Sequence, residues 1–402
     1  MNVSNSITNK GSLSIWEELE KFNSLQLINK THENEKLINI INKFFSNFMN
    51  GINRNNYGSY INRSCKGVTD LTYICHKYLE GQEKVIKFVT KFIHPSLSAN
   101  TRLCSQVLKH LGLYSPKIYV VDCEYKDFPV RGKIGSIMKI NASQYKNHDF
   151  AFMDAFSGTN IGDFISTTKF FQLNEHCTST MFYTFGRVAV FDLFLGNDDR
   201  FYRPATGLEF IAPNNVDAFI NSGNIMLDIK SNIETTIELV VFCIDNTSSN
   251  MLNSSVNKNS EIDFEPEKEI YLQSFLKAFC YFKIHQSEFA SKIYEGIRLE
   301  VDRVLAEIEQ ELPLSPEEKS HYFLNNDFAT QYLIKGIEEG YSQLSNQQLI
   351  LPNLMEEWVK EIRPNKQGDF YCRKILELAN LCLQSLSKEE NYEHPIYTTT
   401  YI

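Results

Sequence analysis

The chain has 402 residues and a mass of 46.5 kDa, with 43% hydrophobic and 13% aromatic residues. That length is more than one small core needs, and the apolar share is that of a globular protein and not of a disordered one. The net charge of −9 argues against wholesale nucleic-acid binding, which requires a basic footprint on the domain.

Met1 to Ser14 is polar and rich in Asn and Ser, with no apolar core of the kind a secretory leader carries. Residues 15–50 carry two helical patterns, first Trp16, Leu19 and Phe22, then Leu37, Ile38, Ile41, Phe44, Phe45 and Phe48. A loop is expected from Asn53 to Gly58. Short strands follow at Leu71–Cys75, Val85–Val89, Ile118–Val121 and Ser136–Ile140. One helix interrupts them, from Ala99 to Leu111, with Gly112 as its C-cap and Pro116 beyond.

Asp149 to Gly158 reads as a strand running into a connector, and Glu175 to Leu195 as a long apolar helix ending at Gly196. Residues 201–235 are loop-rich, Glu238–Ile244 is a buried type of strand, and Asn246–Ser260 is a Ser/Asn tract expected to be a loop. From Glu265 to Leu386 the pattern is helical, and no internal repeat is present. No apolar run approaches the ~18 residues of a membrane span, so no transmembrane segment is expected. The fold class is α+β, with a strand-rich N-terminal lobe, a connector near 150–158 and a helical C-terminal lobe.

The nine cysteines show no C-x-x-C pair, which fits a reducing compartment and buried thiols better than zinc or disulfides. There is no H-E-x-x-H, no G-x-S-x-G elbow and no Walker loop.

Four features carry chemistry. Lys87 lies within the short apolar strand Lys84-Val85-Ile86-Lys87-Phe88, where an ammonium is costly unless it meets an anion. Gly196-Asn197-Asp198-Asp199-Arg200 directly follows an apolar helix. Ser222-Gly223-Asn224 precedes the apolar triplet Ile225-Met226-Leu227. Leu239 to Ile244 is an apolar strand ending in Asp245, a carboxylate placed as a metal ligand beyond the buried segment. Phosphoryl transfer requires a Lys for phosphates, an Asp near the acceptor hydroxyl and oxygen ligands for Mg²⁺, and these are present in that order.

The series Asp192 … Asn197-Asp198-Asp199-Arg200, Gly223-Asn224-Ile225 and Ile244-Asp245-Asn246 resembles the atypical kinases of the actin-fragmin kinase and HipA-like groups. Phosphoinositide 3/4-kinases are similar in their Asp-Arg pair, downstream Asn and strand-ending Asp. The likeness spans about residues 84 to 250 and is most specific over 186–246.

The resemblance implies a bilobal protein-kinase-like fold with extra helices at both ends. Its parts would be a helical extension (1–52), an N-lobe (53–150), a hinge with the C-lobe (151–345) and a C-terminal extension (346–402). It implies ATP and Mg²⁺ or Mn²⁺ as cofactors. Asp199 would be the catalytic residue, with Asp198 as the fallback. Asn224 and Asp245 would be metal ligands, Lys87 the ATP-binding Lys, and Met153, Asp154 and Phe156 a hinge against which adenine packs. The function implied is a Ser/Thr protein kinase. The alternatives are a kinase of lipids, inositols or small molecules, a nucleotidyl transferase, or a catalytically dead scaffold.

Two departures stand out. No Gly-x-Gly-x-x-Gly precedes Lys87, and Phe88 to Lys117 contains no Asp or Glu to pair with it, leaving Asn100 or Gln106 as stand-ins. From Lys84 to Lys146, eleven Lys and Arg stand against three acids. Lys91, Arg102, Lys109, His110 and Lys117 are therefore read as a polyanion site, for an inositol polyphosphate activator, an acidic partner or an anionic lipid. The tail from Leu386 to Glu393 resembles the signals of bacterial type IV secreted effectors. With the abundance of Asn, Lys and Ile, it suggests an effector kinase delivered into a host cytoplasm.

Overall fold

A computed structural model describes residues 19, 21–22, 24–28, 34–50, 59–63, 71–78, 85–123, 147–156, 158–167, 173–202, 220–231, 237–244, 246, 265–320, 322, 325–364 and 366–387. The fold is mixed α/β, with helices predominating and a mixed sheet. The chain divides into two compact units, each discontinuous in sequence. The first comprises Met1–Lys109, Ser115–Ser157 and Glu357–Cys372; the second comprises His110–Tyr114, Gly158–Glu356 and Arg373–Ile402.

The first unit is built on a six-stranded sheet of β1 (Leu27–Ile28), β2 (Ser59–Arg63), β3 (Leu71–Tyr78), β4 (Val85–Ile93), β5 (Ile118–Val121) and β6 (Asp149–Asp154). Their order across the sheet is β1-β5-β6-β4-β3-β2, antiparallel throughout except for β1 against β5. Side chains alternate between the faces of a strand, and here both alternating sets supply buried apolar residues. Phe88, Phe92, Tyr119, Val121, Phe150 and Phe152 pack with Leu37, Ile41, Phe45 and Phe48 of helix α1 (Glu35–Asn50). Val89, Ile93, Ile118, Val120, Ala151 and Met153 take the other face, with Leu97 of helix α2 (Pro95–His110). Phe45 anchors the first set, its ring 5.5–5.7 Å from those of Phe88, Phe150 and Phe152 in edge-on contact.

A polar cluster ties α2 to the sheet. The buried carboxylate of Asp149 accepts from Ser98 Oγ at 2.6 Å and from the Cys123 N–H at 3.1 Å. Arg102, also buried, donates to the carbonyls of Leu25 at 2.7 Å and Ser98 at 3.1 Å. Burial raises the Asp149 carboxyl, while Ser98 and Arg102 oppose the rise.

The second unit centres on α4 (Glu175–Leu195), following the short β7 (Thr159–Asn160) and α3 (Ile161–Thr167). Asn174 caps α4 by accepting from the Cys177 N–H at 2.7 Å, and Gly196 ends it in the left-handed conformation at φ 70°. Every residue from Val188 to Leu195 is buried, an apolar run interrupted by Asp192 alone. β8 (Ile225–Ser231) and β9 (Ile237–Cys243) form a hairpin, with β7 beside β8. Helices α5 (Glu265–Ile284), α6 (Gln286–Glu311), α7 (Pro316–Ser320) and α8 (Asn326–Asn346) follow. α9 (Leu351–Ile362) and α10 (Lys366–Leu386) contribute residues to both units. No helix among the described residues is long and apolar enough to cross a membrane.

The strands expected at 71, 85, 118 and 238 are present, three of them with shifted or longer bounds, and the helices expected at 175–195 and across 265–386 are present. The helix expected from Ala99 begins at Pro95, because proline fits the first turn, where no N–H is needed. β1 was not foreseen: two residues carry no alternation, and only the edge of β5 makes them a strand. The helical pattern around Trp16, the strand at Ser136–Ile140, the loops at 53–58 and 247–260, and most of 201–235 lie outside the described residues.

α4 and α8 approach until backbone meets backbone. A Cβ on Gly336 would lie 2.0 Å from the Tyr183 carbonyl oxygen, and one on Gly186 would lie 2.3 Å from that of Leu333. Helix propensity alone predicts that Gly336→Ala stabilises by about 1 kcal/mol. The contact predicts instead a loss of about 1–3 kcal/mol or more in urea unfolding. A gain in stability would show that the two helices do not meet at this position.

Candidate functional site

The end of α4 creates the site. Gly196 turns the chain out of the helix, and the Asn197 N–H returns to the Asp192 carbonyl at 2.8 Å. Asp192, fully buried in the last turn, accepts from Asn197 Nδ2 at 3.3 Å and pairs with Arg200 at 3.1 Å. Both members of this ion pair are sealed from solvent, at 0% and 1% exposure. Burial pushes the Asp192 carboxyl up, to about 7, against the pull of Arg200 and Asn197. Burial also raises the Cys243 thiol, to about 11, with Arg200 opposing.

This pair fixes the loop that presents Asp199. The Asp199 N–H donates to Asn197 Oδ1 at 3.0 Å, so Asn197 links the buried Asp192 carboxylate to the backbone of Asp199. The Arg200 carbonyl accepts from the Asn221 N–H at 3.0 Å, bringing in the 3₁₀ turn Ser222–Asn224. Asn224 Nδ2 then donates to Asp199 Oδ2 at 2.8 Å and to its carbonyl at 3.0 Å, while Asn221 Nδ2 donates to Asp199 Oδ1 at 3.0 Å. The Asn224 carbonyl accepts from the Ile244 N–H at 3.1 Å, so the last residue before Asp245 is joined to the same turn. Asn246, on the other side of Asp245, is buried and donates to the Cys243 carbonyl at 3.0 Å.

The structure thus brings Asp199 and Asn224 into direct contact. Asp245 itself lies outside the described residues. Lys87 lies in β4 opposite His76, and Asp154 ends β6 opposite Phe88; the side chains of both lie outside the described residues. Met153 is buried in the sheet face that carries Val89, and Phe156 is partly buried just beyond β6. Asn100, one stand-in for the missing acid, is fully buried, and its Oδ1 accepts from the Cys104 thiol at 3.3 Å.

Of the five basic positions, Arg102, Lys109 and Lys117 line one small groove of the first unit with Ser105, Gln106 and Leu25. Arg102 is an internal clamp as well as a wall of that groove, given its two carbonyl partners. Lys91 is half-buried on β4 and does not line the groove. His110 belongs to the second unit and meets Gln347 Oε1 at 3.4 Å.

A divalent metal can be tested against the residues present. Asn224 spends its NH₂ group on Asp199, so its carboxamide oxygen faces away from that bond and is the hard oxygen donor such a cation takes. Asn224 therefore fits a metal ligand. A second acid-containing group, Asp122, Cys123 and Asp149, has ligand atoms within 4.8 Å of one another, but Asp149 is already committed to Ser98 and the Cys123 N–H.

Sequence reasoning gave no role to Asp192 or Asn197, though both stand in the quoted series, and did not single out Asn221. Two of them left a signal: Asp192 is the only acid in α4 after Glu175, and Asn221 precedes Asn224 by three residues, the spacing of one tight turn. Comparison of the chain with protein-family models and with curated proteins finds no match.

Breaking the Asp192–Arg200 pair has unequal consequences on its two sides. Asp192→Asn removes the negative charge opposite a guanidinium that cannot shed its proton, at a cost of about 3–5 kcal/mol. Arg200→Met strands a carboxyl that can take one up. In that variant the folded-state pKa lies above the unfolded value, so stability is present at low pH and is lost as pH rises between the two. Urea midpoints should show Arg200→Met recovering between pH 8 and pH 6, relative to wild type, while Asp192→Asn does not. Equal pH profiles for the two variants would contradict the pairing.

Proposed function

We propose that the chain is a metal-dependent ATP phosphotransferase of protein-kinase-like architecture, acting on Ser or Thr hydroxyls of a protein. The observation that carries this reading is the contact of Asp199 with Asn224, two residues 25 positions apart joined at 2.8 Å at the mouth of a buried helix. An acid for the acceptor hydroxyl beside an amide for the metal is the pairing that phosphoryl transfer uses. The layout of the first unit also supports it. Five antiparallel strands run in the order β2-β3-β4-β6-β5, with Lys87 in the third and α2 inserted directly after it.

In this reading Asp199 orients the acceptor hydroxyl and takes its proton as the oxygen bonds to the γ-phosphorus of ATP and ADP departs. Lys87 neutralises phosphate charge, and adenine packs on the strand end formed by Met153, Asp154 and Phe156. Asn224 and Asp245 would hold Mg²⁺ or Mn²⁺, which would supply positive charge to offset that of the phosphate oxygens. Lys109 and Lys117, beside the groove that Arg102 lines, would in this reading attract an anionic regulator such as an inositol polyphosphate or a lipid headgroup at the surface. Delivery as a type IV effector rests on the tail, which lies beyond the described residues from position 388. A second reading, a nucleotide-binding scaffold without turnover, is favoured by one observation: α2 contains no acidic residue for Lys87.

Label transfer from γ-labelled ATP with Mg²⁺ or Mn²⁺, with and without boiled protein-free eukaryotic extract, separates these readings. Asp199→Ala, Asn224→Ala and Asp245→Ala are each expected to lower transfer by about 10²–10⁴-fold while leaving the urea midpoint close to wild type. Full activity in any of them would refute its assigned role. Transfer only from α-labelled ATP would move the reading to nucleotidyl transfer, and no transfer from either would move it to the scaffold.

A further inference from the structure

We infer that Asn221 is a positioning residue for Asp199, a role that rests on the phosphotransferase reading and adds a residue to it. A carboxylate has two oxygens, and rotation about its last torsion exchanges them with little barrier. In this site both are held. Asn224 Nδ2 takes Oδ2 at 2.8 Å, and Asn221 Nδ2 takes Oδ1 at 3.0 Å. With Asn224 alone, the group would pivot about a single oxygen.

The amide of Asn221 has one orientation that satisfies both of its ends. Its Oδ1 accepts from the Gly223 N–H at 3.1 Å, and its Nδ2 faces a carboxylate. Turned over, it would set oxygen against oxygen and NH₂ against N–H. The backbone of Asn221 is committed as well, its N–H to the Arg200 carbonyl at 3.0 Å and its carbonyl to the Asn224 N–H at 3.1 Å. All four polar groups are thus used within the loop. Asn224 differs, since its amide oxygen is the atom that the phosphotransferase reading gives to a cation. The two asparagines divide the work: one is a ligand as well as a clamp, and the other is a clamp alone.

The substitution Asn221→Asp separates that clamp from a simple turn-capping role. Aspartate keeps the acceptor that caps the 3₁₀ turn at Gly223 but has no N–H to donate, and it sets a second carboxylate against Asp199; Asn221→Ser removes the N–H without that charge and so must show the same fall in kcat. Positioning predicts that kcat falls about 10- to 100-fold in Asn221→Asp and Asn221→Ala, with KM for ATP and half-saturation by Mn²⁺ within about twofold of wild type. Wild-type kcat in Asn221→Asp would overturn the inference and leave Asn221 as a cap. A kcat restored by excess Mn²⁺ would also overturn it, by placing the effect at the metal residues. If Asn221→Asp does not fold by its urea midpoint, Asn221→Ser provides the same reading, since its hydroxyl keeps an acceptor for Gly223 but is too short to reach Asp199. Failure of the underlying phosphotransferase reading has a different signature: wild type would then transfer no more label than Asp199→Ala, and the role of Asn221 would fall with it.

Discussion

The arrangement of the site depends on a charge placed where the surrounding sequence is almost wholly apolar. Asp192 sits in the last turn of α4 among Phe191, Leu193, Phe194 and Leu195, all of them out of contact with water. A carboxylate there is costly to desolvate, and Arg200 returns to meet it across the turn at Gly196. Because the helix is held in the core on every side, the position of Asp192 is fixed by packing. Arg200, and with it the loop from 196 to 200, inherits that position. Rigid support of this kind is what a reacting group on a loop requires, since loops by themselves do not hold side chains to the tolerance of chemistry.

Outward from the ion pair the charge is passed to neutral donors. Asn197, Asn221 and Asn224 all contact Asp192 or Asp199, and each provides an amide with one donor end and one acceptor end. Amides can satisfy a carboxylate without cancelling its charge, whereas lysine or arginine in the same places would neutralise it and compete with a metal ion. The sheet of the first unit shows a related economy. Its central strands supply buried apolar residues on both faces, one alternating set packing on α1 and the other on Leu97 of α2, and the buried Asp149–Ser98–Arg102 cluster ties α2 to the sheet.

Much of this could be read along the chain, and the reason differs by element. α4 was legible to its final residue because an apolar run bounded by Asn174 and Gly196 states both ends in local chemistry. β5 was legible because four consecutive branched or aromatic residues admit little else. β1 was not, because its two residues become a strand only through the hydrogen bonds of a partner about ninety positions away. Arg102 drew attention for its charge, which sequence does show, but its buried contact with the Leu25 carbonyl, 77 positions away, depends on how the chain returns on itself.

The sequence by itself determined the helices and strands whose signals are local, and the order in which Lys87, Asp199, Asn224 and Asp245 occur. Their types follow from periodicity and caps, which act over a few residues. Only the tertiary structure decided that Asp199 and Asn224 touch, that Asn221 holds the second carboxylate oxygen, and that Asp192 is the buried counter-charge behind them. Those contacts span 22 to 25 residues for the asparagines. They come from the packing of α4 and the closing of the β8–β9 hairpin. Distances of that kind have no period or local propensity to record them in the chain.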